Sequence, residues 1–212
     1  MSLCHPYLDA AEAATALLAA PEVAAAWEGP SVLAEMTVHG LAGHLAHQVF
    51  SVDRAVRSTA GAGHRPVPVL EHYARAAWVD APVDSEVNAG IRANGERVAA
   101  EGAAELVARL RSALAEQRVA LASPRGEEPV ELPWGDWTLN LDDFLLTRMV
   151  ELAVHMDDLA VSVGVETPAL PPAAFDPVAA LLAGLAARRH GQPALLRALT
   201  RAERAPSAIN AF

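Results

Sequence analysis

The sequence predicts an all-α protein, a four-helix bundle with one or two extra C-terminal helices. Three observations lead there. Apolar residues recur at i+3/i+4 spacing through most of the chain. Segments with this pattern end at Gly or Pro clusters. No run shows the alternation of a half-buried strand.

The elements follow in order. Tyr7 to Trp27 is Ala-rich with one apolar face and is interrupted at Pro21, a residue that opens a new turn. Pro30 and Ser31 mark a loop. Thr37 suits the N-cap of a long helix striped by Val38, Leu41, Ala42, Leu45, Val49, Val52 and Val56, with Gly61 and Gly63 as its stop. Pro66, Pro68 and Pro82 make the next stretch a loop holding a short helix near Val69–Trp78. Asp84 or Ser85 caps a third long helix whose stripe runs through Val87, Ile91, Val98, Leu106, Leu110 and Leu114 to about Leu121. Ser123 to Trp137 is a long Pro/Gly-rich connection. Asn140 or Asp142 caps a fourth helix that Gly164 ends. A fifth helix is expected from about Asp176 to His190, and a short sixth from Pro193 to Thr200. The domain reading is a bundle over 1–165 and a helical extension with a tail over 166–212.

Composition narrows the function. The formal charge is −10 and all 16 basic residues are arginine, without an Arg-rich stripe, so neither nucleic acid nor an anionic membrane is an expected partner. No apolar run approaches the roughly 20 residues of a membrane span, and Met1 to Tyr7 lacks the basic region of a secretory signal. A cytoplasmic protein is the expectation. The single cysteine, Cys4, has no partner for a disulfide or a CxxC motif and reads as a bland residue near a loosely held terminus.

The fourth helix carries the chemistry. Arg148, Glu151, His155 and Asp158 fall within about 80° of one another on a helix that is otherwise apolar nearly all round. Unpaired buried charge costs several kcal/mol, so the strip must pair internally, hold a cation or face solvent. Glu151 and His155 at i and i+4 reach one point, which suits zinc and related divalent ions. Spacing alone also allows two ordinary i,i+3 pairs, Arg148 with Glu151 and His155 with Asp158, on a solvated face.

A metal site needs a third ligand. Among His39, His44 and His47 on the second helix, His44 sits on the shoulder of the apolar stripe beside Leu41 and Gln48. His47 projects to the far side and is expected in solvent, and His39 lies in the first turn. A lone histidine at a stripe edge is more often a hydrogen-bonded core residue, but the Glu151/His155 pair makes His44 the candidate. Nothing favours His5, His64, His72 or His190. Such a three-ligand set leaves coordination positions open, the catalytic pattern. Arg148 and Asp158 are candidates for supporting roles, with Asp158 orienting His155, and Trp134 and Trp137 are candidates for walling a pocket or for capping the core.

These residues carry a resemblance. The segment Thr37-Val-His-Gly-Leu-Ala-Gly-His44-Leu-Ala resembles the "T-V-x-x-L-x-x-H-L-A" helix of the DinB-like superfamily, in the branch named for the N-terminal domain of mycothiol-dependent maleylpyruvate isomerase. Arg148-Met-Val-Glu151-Leu-Ala-Val-His155-Met-Asp-Asp158-Leu-Ala resembles that branch's "R-x-x-E-x-x-x-H-x-x-D-L-A" helix. The resemblance covers roughly Leu8 to Gly164. It implies a bundle with a divalent metal, usually zinc, held at one end by His44, Glu151 and His155. It also implies a low-molecular-weight thiol, mycothiol in actinobacteria, as cofactor or co-substrate. The Ala-rich, lysine-free composition fits such a GC-rich origin. The isomerase adds a sizeable C-terminal domain where this sequence reads as a short helical extension, so maleylpyruvate isomerisation itself is placed in doubt.

The resulting expectation is a thiol transferase or isomerase that joins a small thiol to an electrophilic substrate, as monomer or homodimer. The alternatives are a non-catalytic metal-binding module, structural or regulatory, and a metal-dependent hydrolase.

Overall fold

Helical periodicity becomes nine α-helices in the computed structural model, which describes residues 2–57, 65–123, 125–132 and 135–212. They are α1 (Cys4–Leu18), α2 (Pro21–Ala25), α3 (Val38–Arg57), α4 (Val69–Arg75), α5 (Glu86–Ala99), α6 (Ala103–Ala120), α7 (Leu141–Val163), α8 (Pro172–His190) and α9 (Gln192–Thr200). Gly61 and Gly63, expected to stop α3, lie outside the described residues, as does His64.

The bundle is a square of α1, α6, α3 and α7, in which each helix packs on the next and α7 closes back onto α1. Its interior is filled by Tyr7, Leu41, Leu45, Leu106, Leu110, Leu145, Met149 and Leu152, all essentially inaccessible to solvent. α5 lies against α3, while α8 packs on α7 and α1, with α9 against α8. No described helix is long and apolar enough to cross a membrane.

Local signals account for most boundaries. The Thr37 hydroxyl accepts from Gly40 N–H at 3.1 Å and opens α3. Ser85, not Asp84, caps α5 by accepting from Asn88 N–H at 3.3 Å. Gly164, at φ +73°, ends α7 in the left-handed conformation expected of it. Asn140 occupies the N-cap of α7 without a side-chain capping bond. α8 starts a turn earlier than expected because Pro172 is accepted at its first position, and Pro177 is tolerated inside.

Three expectations are corrected. The third long helix is two helices, broken at Gly102, which adopts φ +92°. An unbroken stripe hid the break because Val98 and Leu106 are both buried, although they belong to different helices. The break lets α5 follow α3 closely while α6 takes its place in the square. The loop before α7 contains a two-stranded antiparallel hairpin, β1 (Pro129–Glu131) paired with β2 (Thr138–Asn140), where no strand was expected. Three-residue strands are too short to show alternation. Cys4 is buried in the first turn of α1 rather than loosely held, since Leu3 N–H donates to Asp142 at 2.8 Å and ties the start of the chain to α7.

α3 and α5 approach each other closely. A Cβ added to Gly43 would collide with the Gly95 carbonyl oxygen, and one added to Gly95 would collide with that of Gly40. Glycine at both positions is what allows the backbones to meet. Gly43→Ala is expected to lower unfolding stability by about 3 kcal/mol, the upper part of the usual overpacking range. The midpoint of denaturant unfolding measures this.

Candidate metal centre

α3 and α7 adjoin in the square, and each turns polar side chains toward the other where their stripes meet. α3 contributes His44 and Gln48, and α7 contributes Arg148, Glu151 and His155. The ligand atoms of His44, Glu151 and His155 all lie within 4.8 Å of one another. Glu151 Oε2 is 3.4 Å from His44 Nε2 and 3.4 Å from His155 Nε2. The two imidazoles meet edge to face at 4.7 Å between centroids. Their side chains are 11%, 16% and 19% exposed for His44, Glu151 and His155, which is not the solvated face that spacing alone allowed.

The distances have a direct meaning. Ligand bonds of about 2.1 Å directed to tetrahedral corners place the ligand atoms about 3.4 Å apart. Both edges that run through Glu151 have this length.

Surrounding groups hold the donors. Asp158 Oδ2 lies 2.9 Å from His155 Nδ1, leaving Nε2 to face the cluster. Arg148, also buried, donates to Gln48 Oε1 at 2.5 Å and lies over the Phe144 ring at 5.2 Å. An arginine has no acceptor, so this bond sets the Gln48 amide with its oxygen toward Arg148. The Gln48 amide nitrogen then donates to the His44 carbonyl at 3.2 Å and lies 3.3 Å from His44 Nε2.

A conflict follows at His44. With a hydrogen on Nε2 the ring can donate to Glu151 but opposes the Gln48 amide. With a lone pair there it can accept from Gln48 but faces a carboxylate. A cation among the three donor atoms takes the lone pairs of His44, Glu151 and His155 together, so the carboxylate no longer opposes the His44 lone pair, while the Gln48 amide keeps its bond to the His44 carbonyl. The donor set therefore fits a divalent metal of the zinc class.

The charges of the three donors are unequal. Burial would lower the pKa of His155, but hydrogen bonds to Asp158 and Glu151 outweigh it and raise it to about 9. Burial would raise Glu151, yet hydrogen bonds with His155 and His44 hold it well below the usual carboxylate range. His44 is lowered, chiefly by burial, against its hydrogen bond to Glu151. At neutral pH the cluster is thus a Glu151 carboxylate, a His155 imidazolium and a neutral His44.

Other expected residues are sorted by the fold. His47 is half-buried rather than in solvent, and burial followed by the Arg148 charge lowers it to about 4. His39 bridges Glu96 on α5, at 3.2 Å, and the Trp27 carbonyl, at 3.3 Å. Trp137 packs half-buried against the core and donates to His72 Nδ1 at 3.2 Å. Trp134 lies outside the described residues.

Two features had no strong sequence signal. Gln48 shares a face with His44 at i+4, so its position was visible but its role was not. His72, on the short α4, is buried, and burial and the Arg148 charge lower it to about 4. A helix of seven residues between prolines gives too little periodicity to show which side faces inward.

A family model described as the mycothiol maleylpyruvate isomerase N-terminal domain matches residues 7–160. The chain belongs to that family. The match runs from α1 nearly to the end of α7, so it includes His44, Glu151 and His155 and leaves α8 and α9 beyond it. The all-α, DinB-like architecture expected from the sequence is the one observed. Neither the curated proteins nor the solved structures give a significant match to this chain.

Two outcomes are expected. Asp158→Asn weakens divalent-metal affinity by roughly 10–100-fold, the usual effect of losing the carboxylate behind a histidine ligand, as read by competition with a chromogenic chelator. In chelator-treated protein, the His155 contribution to stability is complete below its unfolded value near 6.5 and is lost as pH rises through about 9. The melting temperature of His155→Gln should therefore approach that of the unmodified chain as pH is raised from 6.5 to 9.

Proposed function

We propose that the chain is a metal-dependent enzyme that uses a low-molecular-weight thiol, mycothiol, to modify an electrophilic substrate, as a transferase or isomerase. The observation carrying this reading is the three-donor cluster of His44, Glu151 and His155, with two edges at 3.4 Å, His44 buried and Glu151 and His155 half-buried. A structural site is normally closed by four protein ligands, whereas three leave positions for a small molecule. That distinction favours a catalytic role over a structural or regulatory one. Family membership supports the choice of thiol.

His44, Glu151 and His155 would hold the ion, with zinc the first choice for a donor set of two imidazoles and a carboxylate. A bound divalent ion lowers the pKa of a thiol, so it would keep the co-substrate ionised and nucleophilic at neutral pH. The protein's own part is positioning. Asp158 fixes the ring of His155. Arg148, through Gln48, fixes the surroundings of His44. Asp158 and Arg148 act through the donors, and neither is placed among the reacting atoms.

Elemental analysis of the purified protein should find about one divalent ion per chain, with His44→Ala and His155→Ala retaining little or none. Incubation with mycothiol and a generic electrophile should consume the thiol faster with the metal-loaded protein than with the chelator-treated one. Metal without any rate above the control would leave a metal-binding module and sink the enzyme reading. Unchanged metal content in both variants would sink the ligand assignment.

A further inference from the structure

Large apolar side chains on the surface are concentrated on one face. Among the described residues nine are exposed, and five of them, Val154, Val161, Phe175, Leu196 and Leu199, lie on α7, α8 and α9. Such a concentration, unlike single scattered residues, marks an interaction surface. A mainly apolar groove of about 360 Å³ joins the three helices, lined by Val154 of α7, Leu182 of α8, and Leu195 and Leu199 of α9. α8 packs on both neighbours and forms the floor, so α7 and α9 are the walls. Val161 extends the α7 wall, two turns beyond Val154 on the same face. The short connection 164–171 makes α8 antiparallel to α7, so Phe175, two turns before Leu182, lies at the Val161 end.

The charges divide between the walls. Asp157 stands between Val154 and Val161 on the outer side of α7, Glu166 follows the helix, and α7 has no arginine beyond Arg148. The α9 wall carries Arg197 beside Leu196, with Arg201 at its end, and no acid. These four charged side chains are exposed, and none forms an ion pair among the described residues. A two-fold axis through the groove would lay α9 of one copy on α7 of the other, and the same contact would occur twice. Leucines then meet valines, and arginines meet carboxylates. We propose that the face formed by α7, α8 and α9 docks a second copy of this chain in a two-fold dimer, with α9 of each copy lying along α7 of the other. An anionic lipid surface or a nucleic acid fits less well, because it would meet Asp157 and Glu166 along with the arginines. The dimer is independent of any ion held by His44, Glu151 and His155.

Sedimentation equilibrium of the full chain, 22.2 kDa, is the test. The unmodified protein should sediment at twice that mass, and its dissociation constant should rise roughly tenfold between about 0.05 and 0.5 M salt as the charge pairs are screened. Leu196→Glu and Val161→Arg each place a charge opposite its own kind, on side chains more than half exposed, and should weaken the dimer by roughly tenfold or more. Arg197→Glu/Arg201→Glu and Asp157→Arg/Glu166→Arg should each be monomeric alone. An equal mixture of these two variants should dimerise, because both mixed contacts then pair opposite signs. A single-chain mass for the unmodified protein at its highest soluble concentration overturns the proposal. So does a dimer indifferent to Leu196→Glu and Val161→Arg, failure of the mixture to associate, or binding to anionic lipid vesicles in place of self-association. Should a variant fail to fold, the mass and salt dependence of the unmodified chain still decide.

Discussion

Charge buried along one strip of α7 is the constraint on which the rest of the structure depends. Arg148 is buried and Glu151 and His155 are half-buried on a helix that turns Val154, Asp157 and Val161 outward instead, so these charges must find most of their partners within the protein. α3 is the element that answers this strip, with Gln48 opposite Arg148 and His44 opposite Glu151. Those pairings fix the rotation of both helices about their axes. They also bring three donor atoms together without a fourth protein ligand among the described residues.

The rest of the bundle holds this pair in place. Gly43 and Gly95 let α5 lie on the back of α3, and the turn at Gly102 returns the chain as α6. A second buried polar group then links three helices: Tyr7 of α1 donates to Gln117 of α6, and Gln117 donates to the Val49 carbonyl and to Asp53 on α3. Buried polar bonds of this sort are directional, so they resist sliding of one helix past another in a way that apolar contact does not. A cluster built across two helices needs such resistance, because a shift of one helix by half a turn would separate His44 from Glu151.

α4 and the C-terminal residues supply the surroundings. Trp137 is tied to His72, Tyr73 to Phe212, and Phe212 to Trp78. This aromatic assembly draws on segments that lie between helices of the bundle or after it. Phe212 of this assembly shares an apolar groove with Val154 of α7. The residues beyond the family match thus pack on α7 itself, through α8 and Phe212.

Periodicity in the sequence determined the all-α class, the start of α3, the boundaries of α7, and the strip of four ionisable residues, because each is a property of one helix with a regular repeat. The choice of His44 over His39 and His47 was also legible, since the shoulder of an apolar stripe is where a side chain can be both buried and directed at a neighbour. Tertiary structure decided what depends on two segments meeting. It split the third helix at Gly102, where a continuous apolar pattern concealed a change of direction. It set the amide of Gln48 by placing Arg148 beside it, half-buried His47, buried His72, and left the Tyr73 hydroxyl without a partner among the described residues. A residue's own helix tells which way it points; only the packing of another helix tells what it meets there.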